Sequence, residues 1–222
     1  ATLAPKDVDS ATKELERCVK ELGFKGWNTH SNFGDSYIDE KQYWPLLAKA
    51  EEMGVPIYLH PTAPMIPDIR TFGICLSGPT FGFGTEVMWV FLRMIHRGVF
   101  DAFPKLKIIL GHFGEAFPFL LDRVDTAYRQ GYPQPNAEIG PGSEKLASHY
   151  VLNNMLVTSS GNYLPAAYYC TRDALGLDKI LLATDYPFEQ MNLGIDFIKG
   201  LPVSDEEKAQ VCQGNAEKWG LA

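Results

Sequence analysis

Polar side chains that can bind a metal or move a proton follow four of the apolar runs in this sequence. "PIYLH" ends on His60, "KIILGH" on His112 and "KILLATD" on Asp185, and "MLVTSSG" leads to Asn162. Neutral imidazole and carboxylate groups are the usual ligands of zinc-like ions, and they also act as general acids and bases. The sequence therefore predicts a metal centre or a proton-transfer site, if the fold brings these side chains together.

Each of these residues also has an ordinary structural interpretation. A single histidine after a strand is more often a hydrogen-bonded residue than a ligand, and an aspartate before Tyr-Pro is typical of an Asx turn. The other three histidines are weaker candidates. His96 and His149 lie in predicted helices rather than at strand ends, and His30 ends the short segment "FKGWNTH".

Helical and strand patterns alternate along the chain. The predicted helices are 9–23, 43–54, 85–98, 117–130, 143–152, 165–176 and 204–219, and the predicted strands are 24–27, 55–60, 105–112, 155–161 and 178–187. The last helix begins with a capping box from Ser204 to Glu207. In the helix predicted over 85–98, the positions of Trp89, Phe91 and Met94 indicate core residues. The strands are continuous apolar runs, which is typical of a parallel sheet covered on both faces. The fold class is therefore α/β, with the polar residues on the edge where parallel sheets bind ligands.

Composition excludes several kinds of protein. The net charge of −7 and the lack of a Lys/Arg run argue against a nucleic-acid partner. The four cysteines stand far apart, so we expect reduced thiols and a cytoplasmic location. No signal peptide is evident, and the longest apolar run, 87–92, is too short to span a membrane.

We expect one domain over residues 1–222, with a surface loop at 131–142.

Four segments together resemble the metal-dependent decarboxylase branch of the amidohydrolase superfamily, which includes the resorcylate, dihydroxybenzoate and aminocarboxymuconate semialdehyde decarboxylases. They are "PIYLHPT", "GVFDAFPKLKIILGHFGEAFPFLLDRVD", "LVTSSGN" and "KILLATDYPFE". The resemblance implies a (β/α)8 barrel of the amidohydrolase type, of which this chain holds only about the fourth to eighth strands. The family's first-strand pair of metal ligands has no match here. We therefore expect an upstream segment of about a hundred residues, since such a barrel takes about 250, or another chain covering the open edges.

The resemblance also implies roles for individual residues. His60 and Asp185 look like metal ligands, and Asp185 also lies close enough to the substrate to move a proton. His112 is similar to the family's catalytic histidine. Glu115 would hold His112 in one tautomer and orientation.

Three further residues are candidates for substrate binding. Phe188 resembles an aromatic wall of the family's pocket, and Arg123 matches an arginine that, in part of the family, reaches into the neighbouring subunit's site to hold a carboxylate. Asn162 follows a strand at the same edge. For Arg123 the alternative is a surface charge paired with Asp122 or Asp125.

The expected reaction is the non-oxidative decarboxylation of a small aromatic or enol-type carboxylic acid. The cofactor would be a divalent metal, zinc first and manganese as the alternative, and the protein a homodimer or homotetramer without a nucleic-acid or membrane partner. Phe113, Tyr186 and Phe188 would suit a flat substrate. Two alternatives stay open: a metal-assisted hydrolase or hydratase on the same scaffold, and a catalytically inactive homologue.

Overall fold

The computed structural model describes residues 1–130 and 142–222, and its centre is a parallel β-sheet of five strands. The strands are β1 (Trp27–His30), β2 (Ile57–His60), β3 (Ile108–Leu110), β4 (Met155–Thr158) and β5 (Ile180–Leu181). They lie side by side in chain order, and in this register His30 of β1 pairs with His60 of β2. All five strands therefore end on one edge of the sheet, which we call the carboxyl edge. The α/β class and the five strands agree with the sequence analysis.

Helices connect the strands. They are α1 (Val8–Lys20), α2 (Trp44–Met53), α3 (Pro67–Arg70), α4 (Ile74–Ser77), α5 (Gly82–His96), α6 (Val99–Ala102), α7 (Phe117–Leu120), α8 (Thr126–Arg129), α9 (Ala147–Asn154), α10 (Pro165–Leu175), α11 (Met191–Gly200), α12 (Asp205–Ala209) and α13 (Asn215–Lys218), with a π-helical turn at Gln210–Gly214. One half of the predicted capping box is present: the Ser204 side chain accepts a hydrogen bond from the Glu207 backbone N–H at 3.2 Å, whereas the Glu207 side chain accepts from the Tyr168 hydroxyl at 2.6 Å. None of the helices in the described residues is both long and apolar enough to cross a membrane.

Several predicted boundaries are wrong. The helix expected over 117–130 is broken into α7, a 3-10 turn at Arg123–Asp125 and α8. The break places the buried Asp125 carboxylate on the Ser148 backbone N–H (2.9 Å), in the first turn of α9. The first strand begins at Trp27 rather than at residue 24, and α11 was not predicted. Trp89 is 45 % exposed rather than buried. The loop expected at 131–142 lies, except for residue 142, outside the described residues.

The two faces of the sheet have different environments. One face packs against the helices and forms the main core, with Ile57, Leu59, Ile108, Leu110 and Val157 among its buried side chains. On the opposite face, which we call the inner face, the apolar side chains of β3, β4 and β5 contact residues near the C-terminus. The prediction that every strand is covered on both faces is wrong for β1 and β2, where alternate side chains are buried and the others exposed or half-buried.

The C-terminal residues cover part of the inner face. Ala216, Trp219 and Leu221 pack against Ile109, Leu156 and Leu181. The Trp219 indole N–H donates to the Asp178 carbonyl at 2.9 Å, and the ammonium groups of Lys107, Lys179 and Lys218 lie 4.9–5.5 Å from its ring centre. Partial burial of this large side chain therefore holds the end of the chain against the sheet.

One buried aspartate ties the segment before α2 to α5. The Asp39 side chain is fully buried, and its two carboxylate oxygens lie 2.9 Å from Arg93 Nε and 2.5 Å from Arg97 Nε. Arg93 lies in the last turn of α5 and Arg97 directly follows the helix, so the two stand about one turn apart and a single carboxylate pairs with both. A charge buried this deeply is tolerated only because it is paired.

Candidate functional site

The carboxyl edge carries most of the predicted site residues. His60 is the last residue of β2, His112 follows β3 by two residues and Asp185 follows β5 by four. The structure brings three side chains together, which we call the His112 group: His112, Glu115 and Asp185.

The backbone is strained where these residues lie. His112, Phe113, Gly114 and Glu115 have φ values of 51°, 59°, 79° and 57°, and Asp185 has a φ of 60°. The four residues other than glycine are the only such residues with positive φ in the described part of the chain. Each costs about 1–2 kcal/mol relative to an ordinary conformation. Strain of this kind concentrates at functional sites, so the backbone supports the assignment made from the sequence.

Hydrogen bonds orient the His112 ring. Its Nδ1 lies 2.6 Å from Glu115 Oε1, and because a carboxylate accepts, Nδ1 carries the proton. Its Nε2 then faces Asp185 Oδ2 at 3.9 Å. Burial lowers the pKa of His112, but the hydrogen bond and charge of Glu115 and the charge of Asp185 raise it more, so the net shift is upward. This arrangement can hold a proton on Nε2 and present it toward Asp185 or a bound molecule.

Two glycines allow the close packing of this group, and the sequence analysis missed both. A Cβ at Gly161 would lie 2.9 Å from His112 Cδ2 and 3.4 Å from Asp185 Oδ2, and a Cβ at Gly84 would lie 2.6 Å from Glu115 Oε2. Gly84 is in the first turn of α5, and Gly161 follows β4. No sequence signal distinguishes them, because the contacts depend on which elements pack together.

One hydrogen bond sets the tautomer of His60 so that its other ring nitrogen could bind a metal ion. Its Nδ1 donates to the Pro61 carbonyl at 2.7 Å, which leaves Nε2 with a free lone pair, as in metal-bound histidines. The ring of the exposed His30 lies edge-on at 6.1 Å between centres. Among the described residues, however, no three His, Cys, Asp or Glu side chains are grouped so that they could hold a metal ion. The donor chemistry of His60 and Asp185 suits a divalent metal, but the set is incomplete.

The predicted substrate-binding residues have different surroundings. Asn162 accepts from the Leu164 backbone N–H at 3.3 Å, at the entry to α10. Phe188 is 79 % exposed. Arg123 is exposed and makes no ion pair within the described residues, whereas Asp122 and Asp125 pair with a different residue, Arg129. In the structure Arg123 therefore pairs with neither aspartate, although it is a surface charge, as the alternative interpretation expected.

Phe113 does not contribute an aromatic surface to the site. It is 1 % exposed and belongs to the main core on the helix-covered side of the sheet. The left-handed backbone at this residue turns its ring away from the polar side chains on either side of it. Of the three aromatic residues expected beside a flat substrate, only Tyr186 and Phe188 are exposed.

Parallel strands that present acid–base side chains at their carboxyl ends define an enzyme of the α/β class. The sequence matches the amidohydrolase family over residues 1–219, and the chain belongs to this family. A gamma-resorcylate decarboxylase of Polaromonas sp. is 36 % identical over 225 residues, which cover 98 % of this chain and 68 % of the relative. The resemblance to the decarboxylase branch is thus confirmed, and the chain spans about two thirds of the length of this relative.

Solved structures of decarboxylases have a fold similar to that of this chain. A dihydroxybenzoic acid decarboxylase from Polaromonas sp., with bound manganese and the inhibitor 2-nitroresorcinol, is 34 % identical with a TM-score of 0.89, over 99 % of this chain and 67 % of that one. A 5-carboxyvanillate decarboxylase from Novosphingobium aromaticivorans, also with bound manganese, is 33 % identical with a TM-score of 0.91, over 99 % and 63 %. A divalent metal is therefore supported for this fold. Zinc, the metal expected first, receives no support from these relatives.

Proposed function

We propose that this chain catalyses the metal-dependent, non-oxidative decarboxylation of a small aromatic acid with a hydroxyl group beside its carboxylate. The observation that carries the proposal is the group formed by His112, Glu115 and Asp185, held on a strained backbone at the carboxyl edge. The decarboxylase relatives support the reaction class, and gamma-resorcylate (2,6-dihydroxybenzoate) is the first substrate to test.

The reaction needs a proton donor placed over a ring carbon. Direct loss of CO2 would leave an aryl carbanion whose electron pair does not overlap with the ring. The ring carbon that bears the carboxylate therefore takes up a proton first. The carbon–carbon bond then breaks, its electron pair restores the aromatic ring, and CO2 leaves. General acid catalysis of this kind contributes typically about 10²–10⁴-fold.

We assign to Asp185 the donation of a proton to the ring carbon, and to His112 the polarisation of the Asp185 carboxyl group. The distance of 3.9 Å between His112 Nε2 and Asp185 Oδ2 lets the histidine stabilise the carboxylate charge that remains after the proton has left. Glu115 keeps the ring in the orientation that this requires, because it accepts the Nδ1 proton.

The metal would be held by His60 and Asp185, and we propose manganese. When bound, such an ion supplies Lewis acidity and fixes the position of the substrate carboxylate and its neighbouring hydroxyl. The free Nε2 of His60 and the carboxylate of Asp185 suit this ion. Because two protein ligands make a weak site, we propose that further ligands come from groups other than the described residues.

The finer assignments are also proposals. Phe188 and Asn162 would contact the substrate, and the exposed Arg123, which has no ion pair within the described ranges, would reach the site of a second copy in a homodimer. The order of the five strands supports their correspondence to the fourth to eighth strands of the barrel. The main core, which extends from Ala11 to Val211, supports a single domain. All four cysteines are free, which supports a reducing, cytoplasmic location.

The test is an assay of gamma-resorcylate turnover with millimolar Mn²⁺, following loss of the substrate and release of CO2. We expect His112→Gln and Asp185→Asn to lower kcat by about 10²–10⁴-fold. Glu115→Gln should cost about 10–100-fold, because it acts through the histidine. His149→Gln, on the surface of α9, is the matched control and should retain full activity.

Two results would contradict the proposal. The first is near-normal turnover in the His112 variant. The second is a product that has gained water and kept its carboxylate, which would identify a hydrolase or hydratase instead. Absence of turnover against a panel of hydroxybenzoates, in protein shown to bind Mn²⁺, would favour an inactive homologue.

A further inference from the structure

The turn that carries the proposed catalytic histidine is left-handed, so contacts elsewhere in the fold must stabilise its backbone conformation. Residues 112–115, which we call the HFGE turn, have positive φ throughout, although three of the four are not glycine. Such a turn persists only where surrounding contacts over-determine it. Two hydroxyl groups from separate elements contact its backbone.

The first hydroxyl belongs to Ser160, which follows β4 and is 2 % exposed. The His112 backbone N–H donates to Ser160 Oγ in a long hydrogen bond of 3.4 Å. Ser160 Oγ lies 2.9 Å from Thr158 Oγ1, which lies 3.1 Å from the Tyr58 hydroxyl, so the serine is itself held from the inner face.

The second hydroxyl belongs to Thr171 on α10, which is 1 % exposed. Its single hydroxyl proton is shared between the Phe113 carbonyl (3.2 Å) and the nearer Ala167 carbonyl in the preceding helical turn (2.8 Å). The Phe113 ring packs edge-on against Tyr168 and Phe197, each 6.1 Å away between ring centres. The turn is thus held at the amide of its first residue and at the carbonyl of its second.

We propose that Ser160 and Thr171 are positioning residues for His112. They keep the HFGE turn left-handed, and so they fix the direction in which the imidazole leaves the backbone. Neither hydroxyl needs to touch the substrate. The proposal rests on the proposed function only in taking His112 as the catalytic histidine.

The experiment measures the turn directly, without substrate or metal. The chain has five histidines, so protein labelled with ¹⁵N-histidine gives five backbone amide signals, and His112→Gln identifies the one of interest. We expect Ser160→Ala and Thr171→Val to speed hydrogen exchange at the His112 amide by about tenfold or more. Ser159→Ala and Thr12→Val are the controls: each removes a hydroxyl that bonds elsewhere, to Ala183 or within α1, and should change this exchange by less than about twofold.

Kinetics give a second readout. In the gamma-resorcylate assay, Ser160→Ala and Thr171→Val should lower kcat by about 10–100-fold, with KM nearly unchanged. Thr171→Ser keeps the hydroxyl and should restore both exchange and kcat.

Unchanged exchange at His112 in both Ser160→Ala and Thr171→Val would overturn the proposal, as would equal acceleration in the two controls. Absence of turnover in the unaltered protein would overturn the proposed function alone, because the exchange measurement needs neither substrate nor metal.

Discussion

Replacing Gly161 by alanine tests whether catalysis depends on the position of the His112 ring, and a control variant separates this effect from a loss of stability. The new Cβ would lie 2.9 Å from His112 Cδ2, whereas ordinary contacts begin at 3.4 Å, so the ring must move by about 0.5 Å. A misplacement of about 1 Å costs on the order of 100-fold in rate. We therefore expect kcat to fall about tenfold, while Asp185 Oδ2, at an ordinary contact distance of 3.4 Å from the same Cβ, keeps its place.

The positive φ of Gly161, +64°, adds a cost in stability that must be separated from the effect on rate. Gly54 provides the matched control, because its φ is +67° and nothing lies within 4 Å of its would-be Cβ. Both alanine variants should lose about 1–2 kcal/mol in free energy of unfolding, measured by urea denaturation. Only Gly161→Ala should lose turnover of gamma-resorcylate in millimolar Mn²⁺. Equal kcat values in the two variants would refute the close packing at the site.

Three other predictions concern stability and metal binding. Asp39→Asn should lower the free energy of unfolding by about 3 kcal/mol, because it leaves two arginines without their shared carboxylate, and an unchanged urea midpoint would contradict this. Trp219→Ala should cost about 2–3 kcal/mol by uncovering the inner face, whereas Trp219→Phe should cost less; equal losses would mean that the ring does not cover the sheet. His60→Ala should weaken Mn²⁺ binding at least about tenfold in calorimetry, with His149→Ala as the control, and the same affinity in both would exclude His60 as a ligand.

The sequence alone was sufficient to locate most of the candidate site. His60, His112 and Asp185 each follow an apolar run, and in a parallel sheet the carboxyl ends of the strands share one edge, so their common edge follows from local pattern and topology. Within the described residues, His112 and Asp185 also lie close together, with 3.9 Å between Nε2 and Oδ2. The contact of Glu115 with His112 was expected from the family resemblance, and it is a local contact because the two residues lie on one turn. The N-cap hydrogen bond at Ser204 is equally local.

Boundaries that depend on distant contacts were predicted less well. The first strand starts at Trp27 because pairing with β2 begins there, and the segment 117–130 breaks because Asp125 reaches α9. Phe113 looked like a site aromatic, but its backbone conformation places it in the core.

Only the tertiary structure decided the features that no short segment encodes. The pairing of Asp39 with α5 joins residues more than fifty positions apart. The approach of Gly161 to His112, and the hydroxyls of Ser160 and Thr171 on the HFGE turn, likewise depend on how β4 and α10 pack beside β3. A left-handed turn in residues that individually avoid it is stable only when such contacts offset its cost, and those contacts exist only in the folded chain.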